Sequence, residues 1–319
     1  MNILITGGAG FIGSHLSERL LENSKNKITV IDNFDDYYPR KLKEANIKDF
    51  IGNENYVFYE ADINNPDKLK QIFADNSFDI VIHIAAKAGV RNSIKNPIDY
   101  AKTNIIGTLN ILECMKEYNV KKLIFASSSS VYGNSESDTF SEDLDISKPI
   151  SPYAATKASC EQFLYTYSHL YGINVVALRF FTVYGPKQRP DLAINKFVRC
   201  IKEDKPVTIY GNGDNVRSYT YISDIIDGIL AAIKYNKSAF EIINLGGIKT
   251  VSVNEMVETI EKVLGKKAMK EYLPMQAGDV NKTVCDITKA RKLLGYYPKI
   301  SFEEGVDKFC KWYESVYGD

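Results

Sequence analysis

Three glycines spaced three residues apart, Gly7, Gly10 and Gly13, follow a short apolar run and precede an amphipathic one. Glycine at these positions allows a sharp turn, brings backbone N–H groups close to a pyrophosphate, and lets a helix pack closely on a strand. The N-terminus of that helix then faces the anion with aligned peptide dipoles. A glycine pattern alone also fits an ordinary tight turn, but the strand–turn–helix context favours a dinucleotide-binding loop.

Short apolar runs alternate with longer amphipathic stretches over the first 180 residues. The short runs are apolar nearly throughout, as expected for strands that are covered on both faces. This alternation predicts an α/β fold of Rossmann type, with a doubly wound parallel sheet. The predicted strands are 2–6, 27–32, 56–59, 80–84, 123–126 and 174–180, and the predicted helices between them are 11–22, 66–74, 97–118 and 151–171.

The remainder of the chain is less regular and predicts a smaller C-terminal lobe that is partly interleaved with the first. Prolines and glycines between residues 186 and 213 indicate a loop-rich stretch, and helices are predicted at 223–234, 253–264 and 302–317. We expect residues 1–180 to form the dinucleotide-binding domain, with parts of 215–245 returning to it, and residues 181–319 to form mainly the substrate lobe. A cleft between two lobes is a favoured ligand site.

Composition excludes several classes of protein. Lys+Arg and Asp+Glu both number 40, so no nucleic acid or acidic membrane is expected as a partner. No apolar stretch approaches the roughly 20 residues that span a bilayer, and the first residues lack the pattern of a signal peptide. Five widely spaced cysteines form neither a disulfide framework nor a CxxC pattern, and the three histidines do not cluster with carboxylates. We therefore expect a soluble cytoplasmic protein with reduced thiols and no metal.

Asp32 ends the second predicted strand, nineteen residues after the last of the three glycines. A carboxylate at this point accepts hydrogen bonds from the ribose hydroxyls of adenosine and repels a 2′-phosphate, which predicts NAD rather than NADP. Arg40 and Lys41 lie a few residues further on, and cations there could bind a 2′-phosphate, so NADP is a lesser alternative. Asp62 and Ile63, after the third strand, are expected to flank the adenine.

Tyr153 and Lys157 lie four residues apart on one face of a predicted helix. A tyrosine hydroxyl has a pKa of about 10. A nearby ammonium and a cationic nicotinamide would lower it toward working pH, as a general base requires. Two other Tyr-x-x-x-Lys pairs lie beside a proline or at a helix end. Only this pair also follows, at an interval of 25 residues, a row of serines at 127–130 that ends a predicted strand, where open α/β sheets place ligands.

The TGxxGxxG spacing, with this tyrosine, lysine and serine row, resembles the extended short-chain dehydrogenases/reductases, and the resemblance covers nearly the whole chain. It implies that Ser128 relays the proton of the substrate alcohol to Tyr153 and that Ser129 lies next to the sugar. Related dehydratases and decarboxylases carry an acid within the serine segment, and serines offer neither an acid nor a base for elimination at neutral pH. The row therefore disfavours elimination and leaves an epimerase, which by the resemblance would invert carbon 4 of a nucleotide sugar.

The segment 178–191 is similar to that of nucleotide-sugar 4-epimerases. Thr182 stands where UDP-galactose 4-epimerases usually have Asn, and together with Arg189 and the run 87–91 it is similar to UDP-glucuronate 4-epimerases. A hydroxyl and a guanidinium can bind the carboxylate of such a substrate. The alternatives are that Arg189 binds phosphate or lies on a proline-bounded surface loop. Arg217, which the resemblance places on the UDP pyrophosphate, has serines nearby where the family commonly has acids.

The resemblance implies two further sets of binding residues. Those expected at NAD are Gly7, Gly10, Phe11, Ile12, Gly13, Asp32, Asn33, Asp62, Ile63, Ala85, Ala86, Lys87, Asn104, Tyr153, Lys157 and Phe180. Those expected at the UDP-sugar are Lys87, Arg91, Ser128, Ser129, Tyr153, Thr182, Arg189, Thr208, Tyr210, Arg217, Gln276 and Asp279.

Several alternatives share most of these features. A UDP-galactose or UDP-N-acetylglucosamine 4-epimerase would differ only in the sugar pocket. A dehydratase or decarboxylase is disfavoured by the serine row, and a non-catalytic NAD-sensing protein would not need Tyr153, Lys157 and Ser128 together. The family commonly forms homodimers through two helices, which here would be those predicted at 97–118 and 151–171.

Overall fold

Strands and helices alternate along a computed structural model that describes residues 1–275 and 282–318. The strands are β1 (Asn2–Thr6), β2 (Lys27–Asp32), β3 (Tyr56–Glu60), β4 (Ile80–His83), β5 (Lys122–Ser128), β6 (Asn174–Phe180), β7 (Val183–Tyr184), β8 (Val207–Tyr210), β9 (Val216–Ser218), β10 (Thr220–Tyr221), β11 (Phe240–Leu245), β12 (Thr250–Ser252), β13 (Lys270–Leu273) and β14 (Lys282–Thr283).

The α-helices are α1 (Phe11–Leu21), α2 (Arg40–Ile47), α3 (Pro66–Asp75), α4 (Val90–Lys95), α5 (Pro97–Ala101), α6 (Gly107–Glu117), α7 (Pro152–Tyr171), α8 (Ala193–Lys202), α9 (Ile222–Lys234), α10 (Val253–Leu264), α11 (Thr288–Leu294) and α12 (Phe302–Tyr317). A π-helical turn over Lys102–Ile106 joins α5 to α6. A single 3₁₀ turn over Ser129–Tyr132 follows β5.

The main sheet has seven parallel strands in the order β11-β6-β5-β4-β1-β2-β3. Neighbouring residues of β1 enter two different cores, with Ile3 and Ile5 packed on one face of the sheet and Leu4 on the other. Both faces are therefore covered, and this is why the strand sequences are almost entirely apolar. The predicted Rossmann-type sheet is confirmed, and all six predicted strands are present.

Four helices, one strand of the main sheet and the strands of the small sheets were not predicted from the sequence; the helices are α2, α4, α8 and α11, and the main-sheet strand is β11. The stretch between residues 186 and 213 was expected to be loop-rich, but α8 lies within it. This helix buries Ile194, Phe197, Val198 and Ile201, an apolar set at helical spacing that the flanking prolines and glycines obscure in sequence. The helix expected at 97–118 is interrupted by its π-helical turn.

The residues beyond β6 build three small sheets, in the orders β10-β7, β12-β9-β14 and β13-β8. β11, in contrast, pairs with β6 at the edge of the main sheet. No helix in the described ranges is long and apolar enough to cross a membrane. All five cysteines are free thiols.

Candidate active site

A cavity of about 510 Å³ opens at the carboxyl ends of the main-sheet strands, where open α/β sheets bind ligands. It is lined by the loops that follow β1 to β6, which explains how residues distant in sequence come together. The predicted cofactor residues that line it are Gly7, Gly10, Phe11, Ile12, Asp32, Asn33, Asp62, Ile63, Ala85, Ala86, Lys87, Tyr153, Lys157 and Phe180, and the further predicted substrate residues are Ser128, Ser129, Thr182, Arg189 and Arg217.

The glycine loop is packed too tightly for side chains. Gly7 has a φ of +73°, and a Cβ there would lie 2.8 Å from the backbone nitrogen of Ala85. Gly13 does not line the cavity, but a Cβ on it would lie 2.3 Å from the carbonyl oxygen of Gly7. The first turn of α1 therefore rests directly on the loop, with its N-terminus toward the cavity. This cradle fits a dinucleotide pyrophosphate.

Asp32 is fixed at the end of β2 by two backbone N–H groups. Its Oδ2 accepts from Ala9 at 3.1 Å and its Oδ1 accepts from Phe34 at 2.9 Å. Burial raises the pKa of this carboxyl, while those hydrogen bonds work in the opposite direction. The possibility of a 2′-phosphate contact from Arg40 does not fit the structure, because its guanidinium is paired with both oxygens of Glu60 at 2.8 and 2.7 Å and with Glu44 at 2.7 Å.

Tyr153 lies in the first turn of α7, where Ser151 caps the helix by accepting from the N–H of Ala154. Burial raises the pKa of the Tyr153 phenol, and a hydrogen bond with Ser128 and the charge of Arg189 lower it. The sequence-based expectation was that a nearby ammonium and a cationic nicotinamide lower this pKa; in the protein alone, the lowering contributions come from Ser128 and Arg189.

Lys157 is 3% exposed and its Nζ donates to the carbonyl of Ala126 at 2.7 Å. Burial lowers the pKa of this ammonium to about 8, because the surroundings disfavour the protonated, charged form of Lys157. Asn104, which does not line the cavity, bonds to both backbone groups of Lys87 and to Thr156. It ties the loop after β4 to α7.

The serines at the end of β5 face different partners. Ser127 donates to Glu161 at 2.5 Å, and Glu161 forms a buried ion pair with Arg179. Ser128 accepts from the N–H of Ser130 at 3.2 Å, and its hydroxyl lies near enough to Tyr153 to lower the pKa of the phenol. The structure thus places Ser128, rather than Ser127, beside the tyrosine.

Of the described residues predicted to bind the uridine end of the substrate, only some line the cavity. The guanidinium of Arg91 lies 4.9 Å from the centre of the Tyr210 ring, and Thr208 donates to Glu271 at 3.5 Å, but none of these residues lines the cavity. Arg217 lines it from β9. Gln276 and Asp279 lie outside the described residues.

Sequence reasoning missed several residues of the loop after β2. Asp35, Tyr37 and Tyr38 line the cavity, and Asp35 lies 3.3 Å from the Lys87 ammonium. Their position just after the strand that Asp32 ends was a usable signal, because loops after parallel strands meet at one edge. Within the described ranges, no group of three or more His, Cys, Asp or Glu side chains could hold a metal ion.

The seven-stranded parallel sheet and the cavity at its strand ends are those of the short-chain dehydrogenase/reductase class. The family model described as GDP-mannose 4,6 dehydratase matches residues 4–309, and the chain belongs to this family.

The chain is 47% identical to the UDP-glucuronate 4-epimerase of Thermodesulfobacterium geofontis over 97% of its own length and 95% of the relative's. It also resembles the crystal structure of UDP-glucuronic acid 4-epimerase from Bacillus cereus in complex with UDP-glucuronic acid and NAD (TM-score 0.94, 41% identity, 99% and 100% of the two chains). A UDP-glucose 4-epimerase from Thermotoga maritima with UDP-glucose gives a TM-score of 0.91 at 34% identity, over 99% of each chain.

Proposed function

We propose that this protein is an NAD-dependent epimerase that inverts carbon 4 of a UDP-hexose, and that its substrate is UDP-glucuronate, which it converts to UDP-galacturonate through a transient 4-keto intermediate. The observation that carries the proposal is that Tyr153, Ser128 and Lys157 line the same strand-end cavity, with Ser128 near enough to Tyr153 to lower the pKa of its phenol. The named relatives support the same reaction.

In this proposal Tyr153 accepts the proton of the carbon 4 hydroxyl, directly or through Ser128, and returns it after the sugar has turned. NAD, when bound, supplies a ring that takes up a hydride from carbon 4 and gives it back, so no external oxidant is needed. Lys157 places its ammonium at the end of β5, beside the serine row. The UDP must be held firmly, while the sugar must be loose enough to present its other face.

The proposed cofactor site has its carboxylates at one end. The glycine loop would hold the pyrophosphate, Asp32 the adenosine ribose, and Asp62 with Ile63 would flank the adenine. Asp32, Asp35 and Asp62 are the carboxylate residues among the described lining residues; Asp32 ends β2, and the other two lie in the loops after β2 and β3. Elimination needs an acid and a base beside the sugar. Their placement at the nucleotide end therefore favours epimerisation over dehydration or decarboxylation.

Thr182 and Arg189 support an acidic sugar as the substrate. Both line the cavity, and Arg189 is near enough to Tyr153 for its charge to lower the phenol pKa. A guanidinium beside the reacting carbon can hold a carboxylate in place. Fixing it also disfavours loss of CO₂ from the intermediate 4-keto acid.

A homodimer is proposed through the segments predicted as helices 97–118 and 151–171, which are α5, its π-helical turn and α6, and α7. Ile98 is 78% exposed and Leu170 is 59% exposed, with Ile106 and Phe163 also open to solvent. Phe163 and Leu170 are seven residues apart and share one helix face. Sedimentation should show a dimer that Leu170→Asp and Ile98→Asp together convert to a monomer; a wild-type monomer would contradict this assembly.

The lobe division and the location are also proposals. β11 in the main sheet supports a return of residues 215–245 to the dinucleotide-binding domain, and the small sheets support a lobe from 181 onward. Limited proteolysis would test this division by cutting first between the lobes. The free thiols fit a reducing compartment such as the cytoplasm, which fractionation would test.

Incubation of purified protein with UDP-glucuronate, followed by NMR of carbon 4, tests the activity. UDP-galacturonate should form and reach equilibrium from either direction. Release of CO₂ or formation of a 6-deoxy sugar would contradict epimerisation. Turnover of UDP-glucose or UDP-N-acetylglucosamine alone would overturn only the choice of substrate, and no turnover of any UDP-sugar would overturn the enzyme proposal.

A further inference from the structure

Four side chains from three segments of the chain meet beside the cavity. The Tyr37 hydroxyl accepts a hydrogen bond from Asn92 Nδ2 at 2.7 Å and donates to Asp191 Oδ2 at 3.3 Å. Arg189 donates from Nε and Nη2 to the two oxygens of Asp191, both at 3.0 Å. Its guanidinium carbon also lies 4.9 Å from the centre of the Tyr37 ring. Tyr37 therefore contacts Arg189 through its ring and contacts the arginine's carboxylate partner through its hydroxyl.

Gly89 provides the space for this cluster. Its φ is +110°, and a Cβ there would lie 2.9 Å from the Tyr37 hydroxyl and 3.8 Å from Nη2 of Arg189. On the other side, the ring of Tyr100 meets that of Tyr153 edge-on at 6.3 Å between centroids, and the Tyr100 hydroxyl donates to the carbonyl of Ala88 at 3.0 Å. Tyr100 is thus packed against Tyr153, and Arg189 of the cluster is near enough to Tyr153 for its charge to lower the phenol pKa.

The charges in the cluster are well defined. Burial works to raise the pKa of Asp191, but the hydrogen bond and charge of Arg189 outweigh it and lower that pKa, so Asp191 is a carboxylate. Burial raises the pKa of Tyr37, which keeps its hydroxyl protonated and able to donate. An arginine has five N–H donors, and the bond to Asp191 uses only two of its nitrogens, so donors are left for a ligand.

We propose that Tyr37 is a positioning residue that holds Arg189 at the sugar end of the cavity and so favours a UDP-sugar that carries a carboxylate. This inference rests on the proposed function. Tyr37 belongs to the loop that follows Asp32, so the same loop contacts the proposed ribose site and the side chain proposed to recognise the sugar acid.

Tyr37→Phe tests the proposal because it keeps the ring and removes only the hydroxyl. The dissociation constant of UDP-glucuronate, measured by calorimetry on the NAD-loaded protein, should rise about fivefold, which corresponds to the loss of one hydrogen bond. The dissociation constant of UDP, which has no carboxylate, should not change. In a double-mutant cycle, Tyr37→Phe should add little to the loss already caused by Arg189→Gln.

A second measurement does not depend on turnover or on the choice of sugar. The chain has eight arginines, so the ¹⁵N–¹H signal of the Arg189 side-chain Nε can be assigned by its absence from Arg189→Lys. Tyr37→Phe should shift or broaden that signal, and Tyr165→Phe, which alters an exposed hydroxyl on α7, should not.

The outcomes separate the two proposals. An unmoved Arg189 signal, an equal loss of affinity for UDP and UDP-glucuronate, or full additivity with Arg189→Gln would each overturn the role of Tyr37. A shifted signal in a protein that turns over no acidic sugar would instead support the positioning of Arg189 and overturn its link to substrate choice.

Discussion

Arg179 and Glu161 form an ion pair directly behind the serine row, with Nη2 and Oε2 2.7 Å apart and each side chain 2% exposed. Ser127 donates to the same carboxylate at 2.5 Å, and Tyr132 accepts from Arg179 Nη1 at 2.9 Å. The carboxylate and the guanidinium are thus satisfied by partners within the core. The bond from Ser127 to Glu161 fixes the end of β5 to α7, while the next residue, Ser128, lines the cavity.

Glu161→Gln should strongly destabilise the protein, because the Arg179 guanidinium would stay buried without its compensating charge. Breaking a buried pair in this way typically costs about 3–5 kcal/mol. Glu304→Gln, which breaks the solvent-exposed pair between Glu304 and Lys308, is the matched control and should cost about 0.5 kcal/mol or less. Urea unfolding of the three proteins measures both values. A loss of under about 1 kcal/mol for Glu161→Gln would contradict this account.

Tyr153→Phe should lower kcat for epimerisation by roughly 10²–10⁴-fold, the usual contribution of a positioned general base. The affinity for UDP should stay unchanged, because the substitution removes only a hydroxyl. Tyr165→Phe on the same helix is the control and should retain full activity. A Tyr153→Phe protein that inverts the sugar at the wild-type rate would refute the proposed role of this residue.

The unfolding free energy should depend on pH through Lys157. Burial lowers the pKa of this lysine to about 8 in the folded protein, from its ordinary value of 10.5. Between these two values the unfolded chain binds more protons than the folded one, so stability rises with pH. Relative to Lys157→Met, the wild-type protein should gain up to about 1.4 kcal/mol per pH unit from pH 8 toward pH 10.

Taking this difference between the two proteins removes the contributions of the tyrosines and cysteines that Lys157 does not affect, since both proteins carry them; Cys160, whose pKa the charge of Lys157 lowers, contributes to the difference together with Lys157. Urea unfolding at pH 7, 8, 9 and 10 is sufficient. A difference between wild type and variant that is constant with pH would mean that the folded state does not depress the pKa of Lys157.

The main sheet was predictable because its strands are buried on both faces and so are apolar at nearly every position. β11 was missed because polar residues interrupt it: Glu241 pairs with Lys289, and Asn244 is buried and accepts from the Tyr132 hydroxyl. Those pairings satisfy the polar groups, but they are tertiary contacts that the local pattern does not contain.

The residues of the candidate site also fall into those that the sequence pattern predicts and those that only tertiary contacts bring together. Residues such as Asp32 and Ser128 were predictable because they end parallel strands, and such strand ends gather at one edge of the sheet. The cluster around Tyr37 was not, because the tyrosine and Asp191 are separated by 154 positions and meet only through the folded loops. The direction of the Tyr153 pKa also depends on burial, which spacing between a tyrosine and a lysine does not reveal.

Gly13→Ala should both destabilise the protein and abolish the binding of NAD. A Cβ at Gly13 would lie 2.3 Å from the carbonyl oxygen of Gly7 and 2.6 Å from the Cα of Gly8, and backbone atoms cannot move aside as a flexible side chain could. The loop would have to shift, which typically costs about 1–3 kcal/mol in a well-packed region. The same shift would displace the backbone N–H groups proposed to bind the pyrophosphate.

Gly52→Ala is the matched control, because Gly52 has a φ of +90° but no atom within 4 Å of a Cβ built on it. It should lower stability through backbone strain alone. Thermal unfolding with and without NAD distinguishes the two variants, since a ligand that binds the folded state raises Tm by an amount that grows with the logarithm of its concentration divided by its Kd. Gly52→Ala should keep the wild-type increase in Tm on addition of NAD, and Gly13→Ala should lose it. If Gly13→Ala kept that increase, the contact between α1 and the glycine loop would not be what positions the cofactor.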